Sequence, residues 1–371
     1  MNRKKVFQLM SSYGELSKAE ISRISGISAP TVIKIINYFL EAGFVTYVGE
    51  GESELGRKPQ LYRFNPEASF SVGVEFEGDF LKLGIVDLSG RLTACRQFRV
   101  NSDFDGILGS QLSIFINDIL EEYSIHKNKV LGVGIGIPGA VDPEKNVINF
   151  APLIGIKSPK DCRGLLEALK HRLGFEIIIE NDVNAAAKGE FVARGLGPEA
   201  DLVYISLGTG LGAGIIVDGR LRRGRNYSAG EFGYMVYDNG YETSKSRPGW
   251  LESQINFQTL SEKWDFLKTP EAQGSDIPGD SEHVGELAGY VASHLALGIA
   301  NINAIIDMEL VVVGGITPKL LGTPFVSEVN RHLKRLCVNE IDCQLQKCAE
   351  PGIVGMASMV AEARMDELLV D

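Results

Sequence analysis

Short apolar runs that end in glycine turns recur along the chain between residues 69 and 315. Their sequences are SFSVGVEF, VLGVGIGIPG, LVYISLGTGLGAGIIV and ELVVVGG. Apolar runs of this kind bounded by glycine predict strands, and the alanine-rich segment after residue 182 predicts a helix between two of them. Strands that alternate with helices are typical of α/β folds. A chain of 371 residues has room for about two to three domains.

The strand predicted over residues 175–179 ends in three polar side chains, Glu180, Asn181 and Asp182. Carboxylates and amides at the carboxyl end of a strand commonly line a ligand crevice in α/β folds. Further along, residues 208–214 read GTGLGAG. These glycines suit either a loop that holds phosphate through backbone N–H groups or a tight hairpin, and both interpretations stay open.

Two short helices joined by a glycine are predicted near the N-terminus. Ser17 and Glu20 form a capping box that opens a helix over residues 17–25, and Gly26 ends it. Ser28 then begins a second helix with a proline in its first turn. Two helices joined in this way are typical of a helix-turn-helix, whose second helix enters the major groove of DNA.

The strands predicted over 44–48 and 60–64 flank a polar tip with basic residues, which is typical of the wing of a winged helix. A basic tip suits the narrow minor groove, where the negative potential is strongest. The expected DNA-binding residues are Ser28, Ala29, Thr31, Val32, Lys34, Arg57 and Lys58. The alternative is a small helical protein-interaction domain with a solvated loop.

Charge is unevenly distributed along the chain. Residues 1–66 hold nine basic and six acidic side chains, a net charge of +3, which leaves −14 for the rest of a chain whose net charge is −11. A basic segment on an acidic body indicates an appendage that binds a polyanion such as double-stranded DNA, while the body repels it.

Composition favours a cytoplasmic protein with no membrane partner. The sequence lacks an uninterrupted apolar run of about 18 residues, and its start, MNRKKVFQLMSSYGE, becomes polar too soon for a signal peptide. The five cysteines form no CxxC pair, so we expect reduced thiols rather than disulfides or a zinc knuckle.

Four motifs occur in the body of the chain in the order IPGAVD, ENDVNAAAKGE, GTGLGAGIIVDGRLRRGRNYSAGEFGYM and IDMELVVVGG. In sequence and order they resemble the ROK family, which groups bacterial repressors, uncharacterised open reading frames and sugar kinases. The resemblance spans nearly all of residues 67–371. It implies an α/β protein in which a winged helix-turn-helix over 1–66 precedes a two-lobed actin-like ATPase (ribonuclease H-like) fold of the sugar-kinase type. The first lobe would cover 67–189, with a C-terminal helix over about 353–371 returning to it. The second lobe, over 190–352, would bind sugar and form oligomers.

In the kinases of this family, the aspartate of the END motif is the general base that takes a proton from a sugar hydroxyl, and its position here is Asp182. A carboxylate within hydrogen-bond reach of an alcohol can both bind and activate it. The resemblance further implies that Asn181, Glu231 and Glu252 bind sugar hydroxyls and that Gly139 lines the pocket. These carboxylates disfavour an anionic sugar.

The family's zinc site is the first departure. It uses a histidine three residues after the first of these glutamates and cysteines before the second. Tyr234 stands at the histidine position, and the segment MVYDNGYETSKSRPGWLE contains no cysteine. Because zinc takes about four N, S or O ligands, we expect no metal. Tyr234 would either pack the loop or offer its hydroxyl to the sugar.

The first phosphate loop is the second departure. The kinases read roughly Asp-x-Gly-Gly-Thr where this chain has Glu75, Phe76, Glu77, Gly78 and Asp79. Two carboxylates therefore replace residues that would face ATP phosphates. At about 4 Å between a carboxylate and a phosphate, in an effective dielectric of about 20, each like-charge contact costs about 4 kcal/mol. We interpret the loop as the remains of a nucleotide site and expect no cofactor.

These features predict a sugar-responsive transcriptional regulator, a repressor that binds an inverted-repeat operator as a homodimer, or as a tetramer of two dimers. A monosaccharide or derivative would be the effector. The first alternative is an ATP-dependent sugar kinase with a DNA-binding appendage, which the retained Asp182 favours and the acidic loop opposes. The second is a factor controlled by a co-repressor or a protein, with a vestigial cleft.

Overall fold

The computed structural model describes residues 2–52, 58–242, 248–268 and 282–370. The chain divides into two compact units. The first comprises Met1–Gly136, Asp161–Ile179 and Met356–Asp371, and the second comprises Ile137–Lys160 and Glu180–Gly355.

The N-terminal part of the first unit is a winged helix-turn-helix arrangement. The capping box expected of Ser17 and Glu20 is present, and Gly26 ends the second helix with a left-handed φ of 70°, which glycine adopts without strain. The strands pair in the order β1-β3-β2, so that β2 and β3 form the wing hairpin. The elements are α1 (Asn2–Ser12), β1 (Glu15–Ser17), α2 (Lys18–Ser25), α3 (Ala29–Glu41), β2 (Val45–Glu50) and β3 (Gln60–Phe64).

A five-stranded sheet follows in the first unit, in the order β11-β7-β4-β5-β6. Its strands are β4 (Phe70–Glu77), β5 (Phe80–Asp87), β6 (Leu92–Arg99), β7 (Val130–Ile137) and β11 (Glu176–Asn181). β4 runs parallel to β7 and antiparallel to β5. The helices of this part are α4 (Leu112–Glu122) and α5 (Arg163–Leu173).

The final helix, named α11 below (Pro351–Leu368), lies against β7. Two glycines of that strand allow the close approach. A Cβ on Gly134 would lie 2.6 Å from the carbonyl oxygen of Met356, and a Cβ on Gly132 would lie 2.7 Å from Cγ1 of Val360. The boundary between the two units falls within this helix.

A second five-stranded sheet, in the order β14-β13-β12-β15-β16, forms the centre of the second unit. Its strands are β12 (Leu202–Leu207), β13 (Leu211–Val217), β14 (Arg220–Leu221), β15 (Leu310–Gly314) and β16 (Asp342–Leu345). The helices are α6 (Asp182–Ala193), α7 (Trp250–Ile255), α8 (Phe257–Lys263), α9 (Glu282–Ile306) and α10 (Ile316–Leu336). A small sheet contains β8 (Ala140–Asp142), β9 (Val147–Phe150) and β10 (Lys160–Asp161).

α9 is long and apolar enough, by length and composition, to cross a bilayer. Its residues Leu287, Val291, Leu295 and Ile299 recur every four positions and are buried in the core of the second unit, together with Phe325 of α10. Residues at this spacing share one face of a helix. Packing within the protein therefore accounts for the apolar composition of α9 without a membrane.

Candidate functional site

The carboxyl end of β11 leads directly into α6, and Asn181 is the N-cap of that helix. Its Oδ1 accepts a hydrogen bond from the Asn184 N–H at 2.9 Å. Its Nδ2 donates to the carbonyl oxygen of Gly139 at 3.0 Å. The two bonds fix Gly139 beside the first turn of α6, so the structure brings together two of the residues expected to bind sugar.

Asp182 is the first residue of α6. Its Oδ1 accepts hydrogen bonds from the Val183 N–H at 2.9 Å and from Asn181 Nδ2 at 3.1 Å. Burial raises the pKa of Asp182 to about 6. A carboxyl group with a pKa raised to this range is suited to hold or accept the proton of a hydroxyl group.

Glu180 organises this junction, a role that the sequence reasoning missed. One oxygen of its buried carboxylate accepts hydrogen bonds from the Asn181 N–H at 2.9 Å and from Asn184 Nδ2 at 3.1 Å. The other accepts one from Arg223 Nε at 2.6 Å. A buried charge is stable only when it is paired and hydrogen-bonded. No local pattern indicated this role, because Glu180 lies in β11, Asn184 in α6 and Arg223 after β14.

Glu231, Tyr234 and Glu252 form a second group, around the turn Phe232–Tyr234. Burial raises the pKa values of both glutamates, and the Glu231 charge adds to the effect on Glu252. Burial, followed by the charges of both glutamates, raises the pKa of Tyr234. The Tyr234 N–H donates to the Glu231 carbonyl oxygen at 3.1 Å, so these two residues belong to one turn. A Cβ on Gly233 would lie 2.9 Å from Glu252 Oε2.

β13 contacts both groups. A Cβ on Gly214 of this strand would lie 2.7 Å from the carbonyl oxygen of Val183, next to Asp182. A Cβ on Gly230, which precedes Glu231, would lie 1.8 Å from the carbonyl oxygen of Ala213 in the same strand. Glycines therefore let both polar groups pack directly on β13.

The loop after Tyr234 is held by aromatic contacts. The Tyr237 ring packs edge-on against Trp250, with centroids 5.3 Å apart, and its hydroxyl accepts a hydrogen bond from Asn301 Nδ2 at 3.1 Å. The Tyr241 hydroxyl donates to the carbonyl oxygen of Pro248 at 2.5 Å. The contacts of Tyr237 join the loop to α7 and α9, while the Tyr241 hydrogen bond joins two residues within the loop.

The donor set of this loop does not fit the zinc site that the resemblance implies. Residues 234–252 include neither histidine nor cysteine. Within the described parts of the chain, no group of three His, Cys, Asp or Glu side chains is placed to hold a metal ion. Thiolate and imidazole are the ligands that structural zinc sites use, and Tyr234 supplies neither.

The first glycine turn of the body is a tight hairpin. β4 and β5 are joined by Gly78 and Asp79 alone, with a left-handed φ of 59° at Gly78. The Glu77 carboxylate forms an ion pair with Lys82 Nζ and accepts a hydrogen bond from Gln97 Nε2, both at 3.1 Å. Both partners of Glu77 thus come from the same sheet.

The second glycine turn also closes a hairpin, between β12 and β13. The Gly208 N–H donates to the Gly210 carbonyl oxygen at 3.0 Å, and the Gly208 carbonyl oxygen accepts a hydrogen bond from the Phe257 N–H at 2.8 Å. The backbone of Gly208 is therefore engaged in turn and helix contacts.

The start of α3 presents most of the residues expected to read DNA. Ser28, Ala29 and Lys34 are exposed, and Ser28 shares a hydrogen bond of 2.9 Å with the half-buried Thr31. The prediction for Val32 is wrong, because its side chain is 0% exposed in the core of the winged helix and cannot reach a base edge. Helical spacing places Val32 on the same inward face as Ile36 and Phe39.

On the wing, Lys58 is exposed, whereas Arg57 lies outside the described residues. The sequence reasoning missed two exposed residues on the outer face of α3, Ile33 and Asn37. Their four-residue spacing was the available signal, since residues i and i+4 share a helix face. An exposed isoleucine beside polar groups suits contact with a thymine methyl group.

The ROK family profile matches residues 71–363. The xylose repressor of Bacillus subtilis (strain 168) is 27% identical over 261 residues, which cover 70% of this chain and 67% of that protein. The crystal structure of a ROK family transcriptional regulator, a homologue of the E. coli MLC protein, is 18% identical with a TM-score of 0.78, and the match covers 99% of this chain and 97% of that chain. A ROK family glucokinase from Streptomyces griseus, in complex with glucose and AMPPNP, is 25% identical with a TM-score of 0.60, covering 79% of this chain and 100% of the glucokinase.

The similarity to solved structures confirms the predicted α/β fold with actin-like sheets. The match to the ROK family regulator also includes the N-terminal segment of this chain, because it covers nearly the whole chain. The family profile extends over well more than half of the sequence. This chain belongs to the ROK family.

Proposed function

We propose that this protein is a sugar-responsive transcriptional repressor. The observation that carries the proposal is that one chain joins an exposed helix-turn-helix face to a group of desolvated carboxyl and amide side chains in a separate unit. Hydroxyl groups of a neutral sugar supply the donors that such carboxylates lack. The similarity to a xylose repressor supports this combination of DNA and sugar binding.

The proposed effector site consists of Gly139, Asn181, Asp182, Glu231, Tyr234 and Glu252. Within it, the Asp182 carboxylate would accept a hydrogen bond from a sugar hydroxyl, while Asn181 holds its position by capping α6. The side chain of Tyr234 is 41% exposed, so its hydroxyl is accessible to a ligand. Binding of a sugar changes operator affinity only if the sugar prefers one of two conformations of the protein.

We also propose that the protein does not transfer phosphate. Glu77 and Asp79 occupy the hairpin turn where ATP phosphates would require uncharged, glycine-rich backbone, and only Glu77 has a cationic partner in the described structure. A sugar kinase is the second candidate, because a pKa of about 6 suits Asp182 to the role of general base.

In the first step of the experiment, DNA duplexes that bind the purified full-length protein are selected from a random-sequence pool. Affinity for the selected fragment is then measured with D-xylose, glucose or N-acetylglucosamine, each with and without magnesium-ATP. We expect one sugar to weaken DNA binding by about tenfold or more, which corresponds to about 1.4 kcal/mol, and ATP to add nothing.

Asp182→Ala should abolish the sugar response and leave affinity for DNA without sugar unchanged. Asp118→Ala, which removes an exposed carboxylate from α4, is the matched control and should behave like the wild type. Loss of DNA binding in Asp182→Ala would contradict separate sites. Sugar-dependent formation of ADP that Asp182→Asn abolishes would establish the kinase instead.

A further inference from the structure

The outer face of α3 carries an amide whose orientation is fixed by the neighbouring helix. Asn37 is exposed and lies one turn after Ile33 on this face. Lys18 Nζ, from the first residue of α2, donates to Asn37 Oδ1 at 3.2 Å. An ammonium group has three donors and no acceptor, so the amide must turn its oxygen to Lys18. The amide nitrogen of Asn37 is therefore the end that is left for DNA.

Lys18 is itself held in place by the wing. Its ammonium lies over the Tyr62 ring of β3, 5.1 Å from the ring centroid. Tyr62 is 3% exposed and its hydroxyl donates to Gln60 Oε1 at 2.9 Å, so the position of the ring is fixed. A lysine in the first turn of a helix is disfavoured by the positive end of the helix dipole. The contacts with Tyr62 and Asn37 account for a cation at this position of α2.

A base edge that meets Asn37 in the major groove meets hydrogen-bond donors and a positive charge. Adenine presents an N7 acceptor and an N6 amino group there, and an asparagine reads adenine by using both ends of its amide. In this protein the adenine amino group would have to share the Asn37 oxygen with the Lys18 ammonium, whose charge repels the amino hydrogens. Thymine O4 and guanine O6 are acceptors, and they suit the Asn37 Nδ2 group without this conflict.

We propose that Asn37 reads one base pair of the operator by donating to a keto oxygen, so that one strand accepts thymine or guanine there. Lys18 is the positioning residue that excludes adenine from that strand. The proposal rests on the proposed function, since it assigns a base preference to the helix that enters the major groove. Base specificity at this position then depends on α2 and on the wing as well as on α3.

The test uses the full-length protein and the DNA fragment that the wild type selects from the random pool. Each base pair of that fragment is replaced in turn by the other three, and the affinity for every duplex is measured. The base pair that Asn37 reads is the one at which Asn37→Ala loses discrimination. Lys18→Met removes the ammonium and keeps an unbranched side chain over Tyr62. Lys5→Met, at an exposed lysine of α1, is the matched control.

We expect the wild type to bind thymine and guanine on one strand of that base pair within about threefold of each other, and adenine about tenfold more weakly. In Lys18→Met the penalty for adenine should fall below about threefold, because the freed oxygen can accept the N6 amino group while Nδ2 donates to N7. Lys5→Met should keep the wild-type discrimination. A merely structural role of Lys18 would instead change the affinity for all four bases alike.

A Lys18→Met protein that still rejects adenine about tenfold overturns the proposal. An equal loss of affinity for all four bases also overturns it, since the Lys18 ammonium would then serve a phosphate. The same holds for an Asn37→Ala protein with wild-type discrimination at every base pair. A wild-type protein that prefers no DNA sequence would overturn the proposed function, and the base preference with it. The selection with the wild type therefore tells the two failures apart.

Discussion

At the scale of single residues, the effector site differs from the surface in how its carboxyl groups ionise. Burial raises the pKa values of Asp182, Glu231 and Glu252. At the surface, hydrogen bonds from Arg163 instead lower the pKa of Asp161 to about 2. The proposed site thus holds carboxyl groups whose charged form is poorly solvated. A ligand that brings hydroxyl donors would relieve this, which supports the proposal of a polyol effector.

Asp182 should make the stability of the free protein fall as pH rises. Its ordinary pKa is 3.8, and in the folded protein it is about 6. Between these values the folded state keeps a proton that the unfolded chain has released, so the free energy of unfolding decreases by up to about 3 kcal/mol from about pH 4 to about pH 6 and is constant above. Asp182→Asn, which retains an acceptor for the Val183 N–H, should remove this loss.

Thermal unfolding at several pH values tests whether stability falls as pH rises. Asp182→Asn should melt at a higher temperature than the wild type at about pH 7.5 and at the same temperature at about pH 4. Asp118→Asn, at an exposed position, should show neither difference. If Asp182→Asn were less stable than the wild type at neutral pH, the fold would stabilise the charged Asp182 carboxylate, and the prediction would be wrong.

At the scale of elements, local patterns predicted the helices and strands well and their partners poorly. The helix predicted over 17–25 is observed at Lys18–Ser25, because its capping box and its terminal glycine are local signals. The strands predicted over 44–48 and 60–64 are observed at Val45–Glu50 and Gln60–Phe64. Contacts between distant residues leave no local pattern, and the Arg223 partner of Glu180 is 43 positions away.

The same limit applied to the candidate site. The residues proposed to bind sugar were located through resemblance, while the contacts of their neighbours required the structure. Val32 is an example. Its position near the start of α3 suggested a contact with a base. Which face of the helix a residue occupies decides its burial, however, and Val32 faces the core.

α3 makes a further prediction about how DNA affinity depends on salt. Lys34 is exposed near the start of α3, so a contact with a phosphate would release counterions. Lys34→Ala should weaken binding to all duplex sequences alike and reduce the slope of log affinity against log salt by about 1. Lys334→Ala, an exposed lysine of α10 in the second unit, is the control and should leave the slope unchanged. Fluorescence anisotropy over a salt series measures the DNA affinity and its salt dependence for both variants. An unchanged slope in Lys34→Ala would show that the Lys34 ammonium does not contact DNA.

At the scale of the whole molecule, charge and family membership point in the same direction. The N-terminal 66 residues carry a net charge of +3 on a chain of −11. Arg3 and Lys4 are engaged with the Val370 carbonyl oxygen and with Asp366, so fewer cations of this segment remain free for phosphate than the sequence suggests. A dimer would bring twice as many cations to one DNA site.

We therefore predict that the protein is a homodimer that recognises an inverted repeat. Two-fold symmetric dimers place their recognition helices on half-sites one helical turn, about 10 base pairs, or a multiple of it apart. Sedimentation should give about twice the mass of the 40.4 kDa chain. Fragments selected from random DNA should contain the repeat, and separating the half-sites by about 5 further base pairs should abolish tight binding, because the second half-site then faces the opposite side of the duplex. Tight binding by a monomer to a single asymmetric site would contradict the prediction.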